Sequence, residues 1–397
     1  MVSSASVVSL KNNSMTAPNG NNEVLILSPF FSPNIGGVET HLDDLVQELQ
    51  DQSFKSYVLT YQPLMLTQKA PTTEKIGQVE IHRVEWFRKL FYKVEPYPLL
   101  DFLYLTPRLM ISAIWFVFTH RSIRTIHAQG INAAFISLFL KYLFGLKLII
   151  STHAVYEFQK EQSQTLFAKV TRFVFNKSDK IFSLLQHSKQ ELTKLGVSEN
   201  KIEPYTYWID LQKFIPADKS QAKQKLNWQE SQTHILFIGR LIEKKGIKEL
   251  LAAAALADST YHFHIIGTGE LDNYVQQHMS LNSTYHGRVP NSSLPQYLQA
   301  TDIFIIPSTH EEGAGRVIME ALACGTPVIG ANRGGIPEIL SATVGELIAV
   351  SPENIVKALQ EVRTKIINKQ FTPETCRQYA IKHFSSANAL PIIQSYL

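Results

Sequence analysis

The stretch from Glu312 to Gly335 limits what this chain can fold into more than any other. An apolar run, Ile303 to Pro307, comes just before it and reads as a buried strand. Gly313 and Gly315 then make a turn poor in side chains. From about Arg316 the apolar residues Val317, Ile318, Leu322 and Ala323 recur at helical spacing until Gly325, with Pro327 beyond as a stop. Strand, glycine turn and helix start make an anion site, because free backbone N–H groups and the positive end of the helix dipole point above the turn. Glu312 on the turn and Glu320 in the early helix frame it. Carboxylates beside an anion site repel phosphate, so their partners are hydroxyls. A ligand with phosphates in the middle and polyol at both ends fits, which describes a nucleotide sugar. The alternative is an ordinary strand–turn–helix with surface glutamates.

Glu312 and Glu320 are separated by seven residues and followed by Ala-x-Ala-x-Gly-x-Pro-Val. This pattern resembles the signature of the retaining family 4 glycosyltransferases of GT-B fold. The resemblance implies that Glu312 touches the donor sugar and Glu320 the ribose. Two positions depart from it: Ala314, where the family usually has a bulky residue, and Arg316, where an aliphatic one is commoner. Both positions are placed by the donor sugar, which leaves the sugar's identity open.

A length of 397 residues allows two or three domains with ample core. A formal charge of +4 is too weak to imply nucleic acid, but it is compatible with resting on an anionic membrane. Cys324 and Cys376 give no disulfide framework and no metal spacing, which fits a reducing compartment. No basic-then-apolar leader pattern opens the chain, so a cytoplasmic location is expected. Residues 1–22, rich in Ser and Asn, are expected to be a disordered tail. Leu109 to Phe118 is apolar but about half the ~20 residues that crossing a bilayer needs. Ala133 to Leu148 is interrupted by Lys141 and Lys147, so buried amphipathic helices are expected in both places.

Taken in order, Val24 to Ser28 reads as a strand and leads to Gly36-Gly37-Val38. Leu42, Leu45, Val46 and Leu49 then mark a helix face. The glycine pair is either a plain tight turn or, by the resemblance, the loop that closes over the donor from the opposite domain. Glu85 to Lys93 interleaves Trp86, Phe87, Phe91 and Tyr92 with Arg88, Lys89 and Lys93. It is read as an interfacial membrane contact or as a packed connector. Arg124 to His127 reads as a strand ending in a loop at Ala128-Gln-Gly130, and Leu148 to Thr152 as one ending at His153. Both histidines should point to a crevice at the strand ends. His127 is open between a structural and a functional role, whereas His153 matches a family histidine beside the donor sugar. Tyr205 to Pro216 matches the family's hinge in Asp210 and Phe214, with Tyr207-Trp208 where Asn-Gly is common. Polar residues 217–232 suit a linker.

The second half restarts with His234 to Ile238, then Gly239-Arg240-Leu241 and Lys245-Gly246. An arginine fork and a lysine point charge can neutralise a diphosphate without metal, and they match the family's phosphate-binding pair. Gly267-Thr-Gly269 after Phe263 to Ile266 lacks the third glycine of a dinucleotide fingerprint. Arg288, in Tyr285 to Val289, lies where the family holds the base. Pro373 to Leu397 resembles the terminal helix that crosses back onto the first domain.

The expected fold is α/β, with two Rossmann-like doubly wound domains facing a cleft. Residues 23–208 form the acceptor-side domain, 209–372 the nucleotide-sugar domain, and 373–397 the return helix. No Asp-x-Asp triplet occurs, which speaks against the metal-bound diphosphate of the other common glycosyltransferase fold. His153, Glu312, Arg240 and Lys245 are the candidate catalytic residues. Gly36, Gly37, Gly239, Gly267, Arg288, Gly313, Ala314, Gly315, Arg316, Val317 and Glu320 are the candidate donor-binding ones. The reading is a hexosyl or N-acetylhexosaminyl transfer from a UDP- or GDP-linked donor to a lipid-linked or glycan acceptor, with no separate cofactor. The alternatives are a nucleotide-sugar epimerase and a non-catalytic binding subunit.

Overall fold

The structure is a computed structural model that describes residues 23–34, 36–64, 68–87, 90–91, 97–153 and 165–397. The expected tail, and Arg88, Lys89, Tyr92 and Lys93 of the aromatic stretch, lie outside the described residues.

The first half builds one sheet from β1 (Glu23–Leu27), β2 (Ser56–Tyr61), β3 (Thr73–Ile76), β4 (Val79–Val84), β5 (Ile123–Gln129), β6 (Lys147–Thr152), β7 (Lys180–Leu184) and β8 (Ile202–Tyr205). Its order is β3-β4-β2-β1-β5-β6-β7-β8, parallel throughout except for the β3–β4 pair. The central strands are buried at every position, as unbroken apolar runs such as Val24 to Leu27 require when helices cover both faces. Helix α1 (Gly37–Asp51) packs on one face. Helices α2 (Pro98–Thr119), α3 (Gly130–Phe144), α4 (Leu166–Lys177) and α5 (Leu185–Lys194) contribute to the core on the other. Strand order reverses between β1 and β5, which opens a crevice at their carboxyl ends.

Two sequence expectations are corrected here. The apolar run Leu109 to Phe118 is not a short segment of its own but the second half of α2, which passes through Pro107 and ends at Thr119. The Tyr61 hydroxyl donates to Leu105 O (2.6 Å) and accepts from Leu109 N (2.9 Å), the pair that a regular turn would join directly. Tyr61 thus carries the helix across its proline. By length and composition Leu99–Thr119 could cross a bilayer, yet its inner stripe of Leu105, Leu109, Ala113 and Val117 is buried in the first core. The second correction is at β5, which continues through Gln129 and passes into α3 at Gly130 with no intervening loop.

The second half contains α6 (Lys219–Lys225), β9 (Thr233–Ile238), α7 (Ile247–Leu256), β10 (Tyr261–Ile266), α8 (Asp272–Gln277), β11 (Ser283–Gly287), α9 (Leu294–Ala300), β12 (Ile303–Ile306), α10 (Arg316–Ala323), β13 (Val328–Ala331), α11 (Ile336–Ile339), β14 (Gly345–Ile348) and α12 (Pro352–Ile367). The sheet is parallel in the order β11-β10-β9-β12-β13-β14 and reverses between β9 and β12. Residues 217–232 are no loose linker. Asp218 caps α6, Lys223 pairs with Asp302 (2.8 Å), and the Trp228 ring lies flat on His264 at 3.6 Å. After α13 (Pro373–His383), which lies along α10, the chain returns through α14 (Leu390–Gln394) to the first domain. There the Tyr396 hydroxyl lies 2.6 Å from Nδ1 of His127.

Candidate active site

The two switch points face each other, so loops from both sheets meet in one cleft. On the second-domain wall the chain leaves β12, turns at residues 312–315 and enters α10. Gly315 precedes the helix at φ 48, a left-handed conformation that a side chain at this position would strain. Glu312 accepts a 2.5 Å hydrogen bond from Ser308 Oγ and forms an ion pair with Lys245. Lys245 ends a short 3-10 turn, Glu243–Lys245, that follows β9. The structure therefore joins the two sequence motifs of this half, the Arg-Lys loop and the Glu turn, in one contact. Arg240 is exposed on the same loop. Gly239 and Gly267, at the ends of β9 and β10, press together so closely that a Cβ on Gly267 would fall 1.8 Å from Gly239 O. Arg288 follows β11 and is exposed. Gly267 and Arg288 thus lie on the opposite side of β9 from β12.

On the first-domain wall Gly36 and Gly37 open α1, and Gly36 lies against the Glu39 carboxylate, which folds back over the helix start. Burial raises the Glu39 carboxyl above its ordinary range, while its own backbone N–H and the charge of Arg240 pull it down. Glu39 thus faces the cation loop from across the cleft, a role that no spacing rule announces. His153 stands at the end of β6, with Nδ1 2.8 Å from the Tyr207 hydroxyl and Nε2 2.8 Å from Gln129 Oε1. Burial lowers it to about 3, so the ring is neutral near pH 7. A Cβ on Gly313 would fall 3.2 Å from the His153 carbonyl oxygen, so the 312–315 turn lies against the first domain. His127 is not at the crevice. It is fully buried between Tyr396 and Ser151 Oγ (2.7 Å), and its role is structural.

Arg316 meets a geometry different from the expected donor contact. Its guanidinium is buried and engages Asp44 of α1 (2.5 Å), Trp208 O (2.9 Å) and Glu320 Oε1 (3.1 Å). Two of the three departures from the family pattern, Arg316 at the start of α10 and Tyr207-Trp208 in the hinge, therefore meet in one contact. Trp208 also packs edge-on against His41, and Tyr207 stacks on the same ring at 4.1 Å. Glu320 is buried beside Arg316. Burial raises its carboxyl, and the Arg316 charge opposes that rise. Ala314 is buried in the turn and Val317 packs against the core that spans both halves.

Two parallel-sheet halves with a cationic loop and a glycine-turned helix at their shared cleft are the architecture of a GT-B glycosyltransferase. The chain belongs to glycosyltransferase family 4: residues 35–213 match the model described as Glycosyltransferase Family 4, and residues 218–383 match Glycosyl transferases group 1. It is 24% identical over 346 residues to a GDP-mannose-dependent monoacylated alpha-(1-6)-phosphatidylinositol monomannoside mannosyltransferase of Corynebacterium glutamicum, covering 82% of this chain and 84% of the relative. Sucrose-phosphate synthase from Thermosynechococcus elongatus has the same fold at a TM-score of 0.80 and 19% identity, over 94% of this chain and 98% of that one. Anabaena HepE in complex with UDP superposes at 0.73 with 18% identity, over 94% and 99%.

Proposed function

We propose that this glycosyltransferase moves a hexosyl or N-acetylhexosaminyl unit from a UDP- or GDP-linked donor to a lipid-linked or glycan acceptor, with retention at the anomeric carbon and without a metal. The observation that carries this reading is the Lys245–Glu312 ion pair at the mouth of the glycine turn, beside Arg240. A donor entering the cleft exchanges that pair for two of its own contacts: Lys245 turns to the diphosphate and Glu312 to a sugar hydroxyl. Arg240 and the backbone N–H groups at the start of α10 meet the remaining charge on the leaving diphosphate. Glu320, with Oε1 on Arg316, offers its other oxygen to a ribose hydroxyl. Neutral His153, with both ring nitrogens bonded within the first domain, braces the wall beside the sugar and is not a proton donor.

Attack is from the front face. The acceptor oxygen bonds to the anomeric carbon on the side where the bond to the diphosphate oxygen breaks, and the acceptor proton passes to that diphosphate. The acceptor class is supported by the Corynebacterium relative, whose name describes transfer to an acylated phosphatidylinositol mannoside. Free, buried Cys324 and Cys376 suit a cytosolic site of work.

The test is incubation with a panel of nucleotide sugars, with and without lipid extract, following nucleoside diphosphate release and the anomeric configuration of the product. Release that depends on acceptor, retains configuration and survives chelator is expected. An inverted product, or loss with chelator that magnesium restores, overturns the mechanism. Isomerised sugar nucleotide formed without acceptor makes the chain an epimerase.

A further inference from the structure

The face of the first domain turned away from α1 is built by α2, α3 and α4, and their outer surface is apolar where a solvated helix would be polar. Along α2 the exposed stripe is Leu99, Leu103, Ile111, Trp115 and Phe118, with exposed Pro107 filling the turn between Leu103 and Ile111, on a helix about 33 Å long. On α3 the exposed positions are Phe139, Tyr142 and Leu143, and on α4 Leu166 and Phe173. The three helices pack side by side, so these stripes form one surface. Single exposed apolar residues are ordinary, but a patch that runs the length of α2 and continues onto the C-terminal end of α3 and onto α4 is an interaction site.

Charge selects the partner. The three helices carry five cations, Arg108, Lys141, Lys169, Arg172 and Lys177, against one carboxylate, Asp101. Lys141 is paired with Asp179 just beyond α4 (2.6 Å), and the other four face outward with no carboxylate on these helices but Asp101. Just beyond α2 the Arg121 guanidinium lies over the Phe118 ring at 4.4 Å, so a cation is seated at the edge of the apolar stripe. The side chains that bridge apolar and wet layers, Trp115 and Tyr142, are 68% and 66% exposed. Apolar rows interleaved with cations and amphipathic rings match the boundary between lipid tails and acidic headgroups.

We propose that the first domain docks through the outer faces of α2, α3 and α4 onto the interface of an anionic bilayer. The helices lie in the membrane plane and do not cross it. The inner stripe of α2 is committed to the domain core, and its backbone is pinned by the Tyr61 hydroxyl. Each helix runs back against the parallel strands it joins, so the Leu99 end of α2 and the Leu166 end of α4 lie at the rim of the cleft. A docked enzyme presents its acceptor side at headgroup level. This surface is separate from the donor site, so docking and donor chemistry can fail independently.

Sedimentation of the full chain with vesicles of phosphatidylcholine, and of phosphatidylcholine mixed equally with phosphatidylglycerol, tests the inference. Binding to the mixed vesicles at low salt, weakened by added salt, is expected. A variant with Lys169, Arg172 and Lys177 changed to Ser should lose about a hundredfold in partitioning, about fivefold per cation. A variant carrying Ile111→Ser, Trp115→Ser and Phe118→Ser should lose about tenfold or more at every salt concentration. Both variants should keep wild-type nucleoside diphosphate binding, which separates lost docking from a misread cleft. Brominated phospholipid should quench tryptophan emission in wild type, and Trp115→Phe should remove that quenching. Wild type that ignores the mixed vesicles, or binds them without quenching, overturns the inference. So does a dimer in solution that the apolar variant disperses, which would assign the face to a second copy of the chain.

Discussion

At Arg316 three acceptors converge on one guanidinium: Asp44 from the first domain, the Trp208 carbonyl from the hinge and Glu320 from its own helix. All of them leave water together, so the charges depend on one another. Arg316→Leu strands two carboxylates in a dry seam and is expected to cost about 3–5 kcal/mol. Adding Asp44→Asn should recover part of that loss, and a denaturant midpoint equal in wild type and Arg316→Leu would refute the account. Lys245 and Arg240 sit in wetter surroundings, and the proposed function gives them the diphosphate as partner. Lys245→Ala and Arg240→Ala should each weaken nucleoside diphosphate binding by about 1.5–3 kcal/mol with little change in the unfolding midpoint. Calorimetric titration with UDP and GDP reads this directly, and unchanged binding in both variants sinks the phosphate assignment. Glu320→Gln should chiefly raise the donor KM, because a ribose contact serves ground and transition state alike. Glu312→Gln should chiefly lower kcat, because charge develops at the sugar ring. The reverse pattern would exchange the two roles.

At the scale of elements, α5 shows how the halves hold each other. Its first N–H groups, Gln186 and His187, donate to the Glu338 carboxylate of α11 at 2.7 Å each. A carboxylate from one domain thus caps a helix of the other, where the helix dipole favours it. Glu338→Ala should loosen closure. The radius of gyration from small-angle scattering is expected to rise without ligand and to fall back toward wild type with nucleoside diphosphate. No change would mean that the Arg316–Asp44 pair and the other contacts of the seam hold it closed without Glu338. Such contacts mark the limit of what the sequence discloses. The strands are legible because a strand covered on both faces must read as an apolar run, as Val24–Leu27 and Ile303–Ile306 do. The 312–315 turn is legible because its glycines and glutamates lie close together in the chain. The course of α2 across Pro107 is not, since the hydroxyl that bridges the interrupted turn belongs to Tyr61, on β2. Tyr207-Trp208 and Arg316 each read as an unexplained departure, because each is the other's partner only after folding.

Over the whole molecule the seam between first domain, hinge and returning C-terminus is lined with uncharged histidines. His41 stacks on Tyr207, His127 bonds Tyr396, and His153 bonds Tyr207. Burial lowers His127 and His153 from 6.5 to about 3, and lowers His41 well below its ordinary value. In the second half, burial likewise lowers His234, His262, His264 and His286, which lie on one face of the sheet. Below pH 6.5 the unfolded chain takes up protons that the folded chain refuses, so stability falls as pH falls. The loss continues toward about pH 3 for His127 and His153, at about 1.4 kcal/mol per pH unit for each histidine. Glu39, Asp44 and Glu320 act in the opposite sense, since burial raises their carboxyls and the folded state takes their protons first. Asp43, which burial and the neighbouring Asp44 push up to about 7, offsets one histidine's share from that pH downward, so the histidines together still govern the interval just below pH 6.5. The melting temperature should therefore drop between pH 7 and pH 5, where an exposed-histidine protein stays flat. His127→Gln, which can still bond to Tyr396 or Ser151, should flatten that dependence by one histidine's share while lowering stability at neutral pH. A wild-type melting temperature that does not change over this interval would mean that the seam tolerates charged imidazoles, and that water reaches His127.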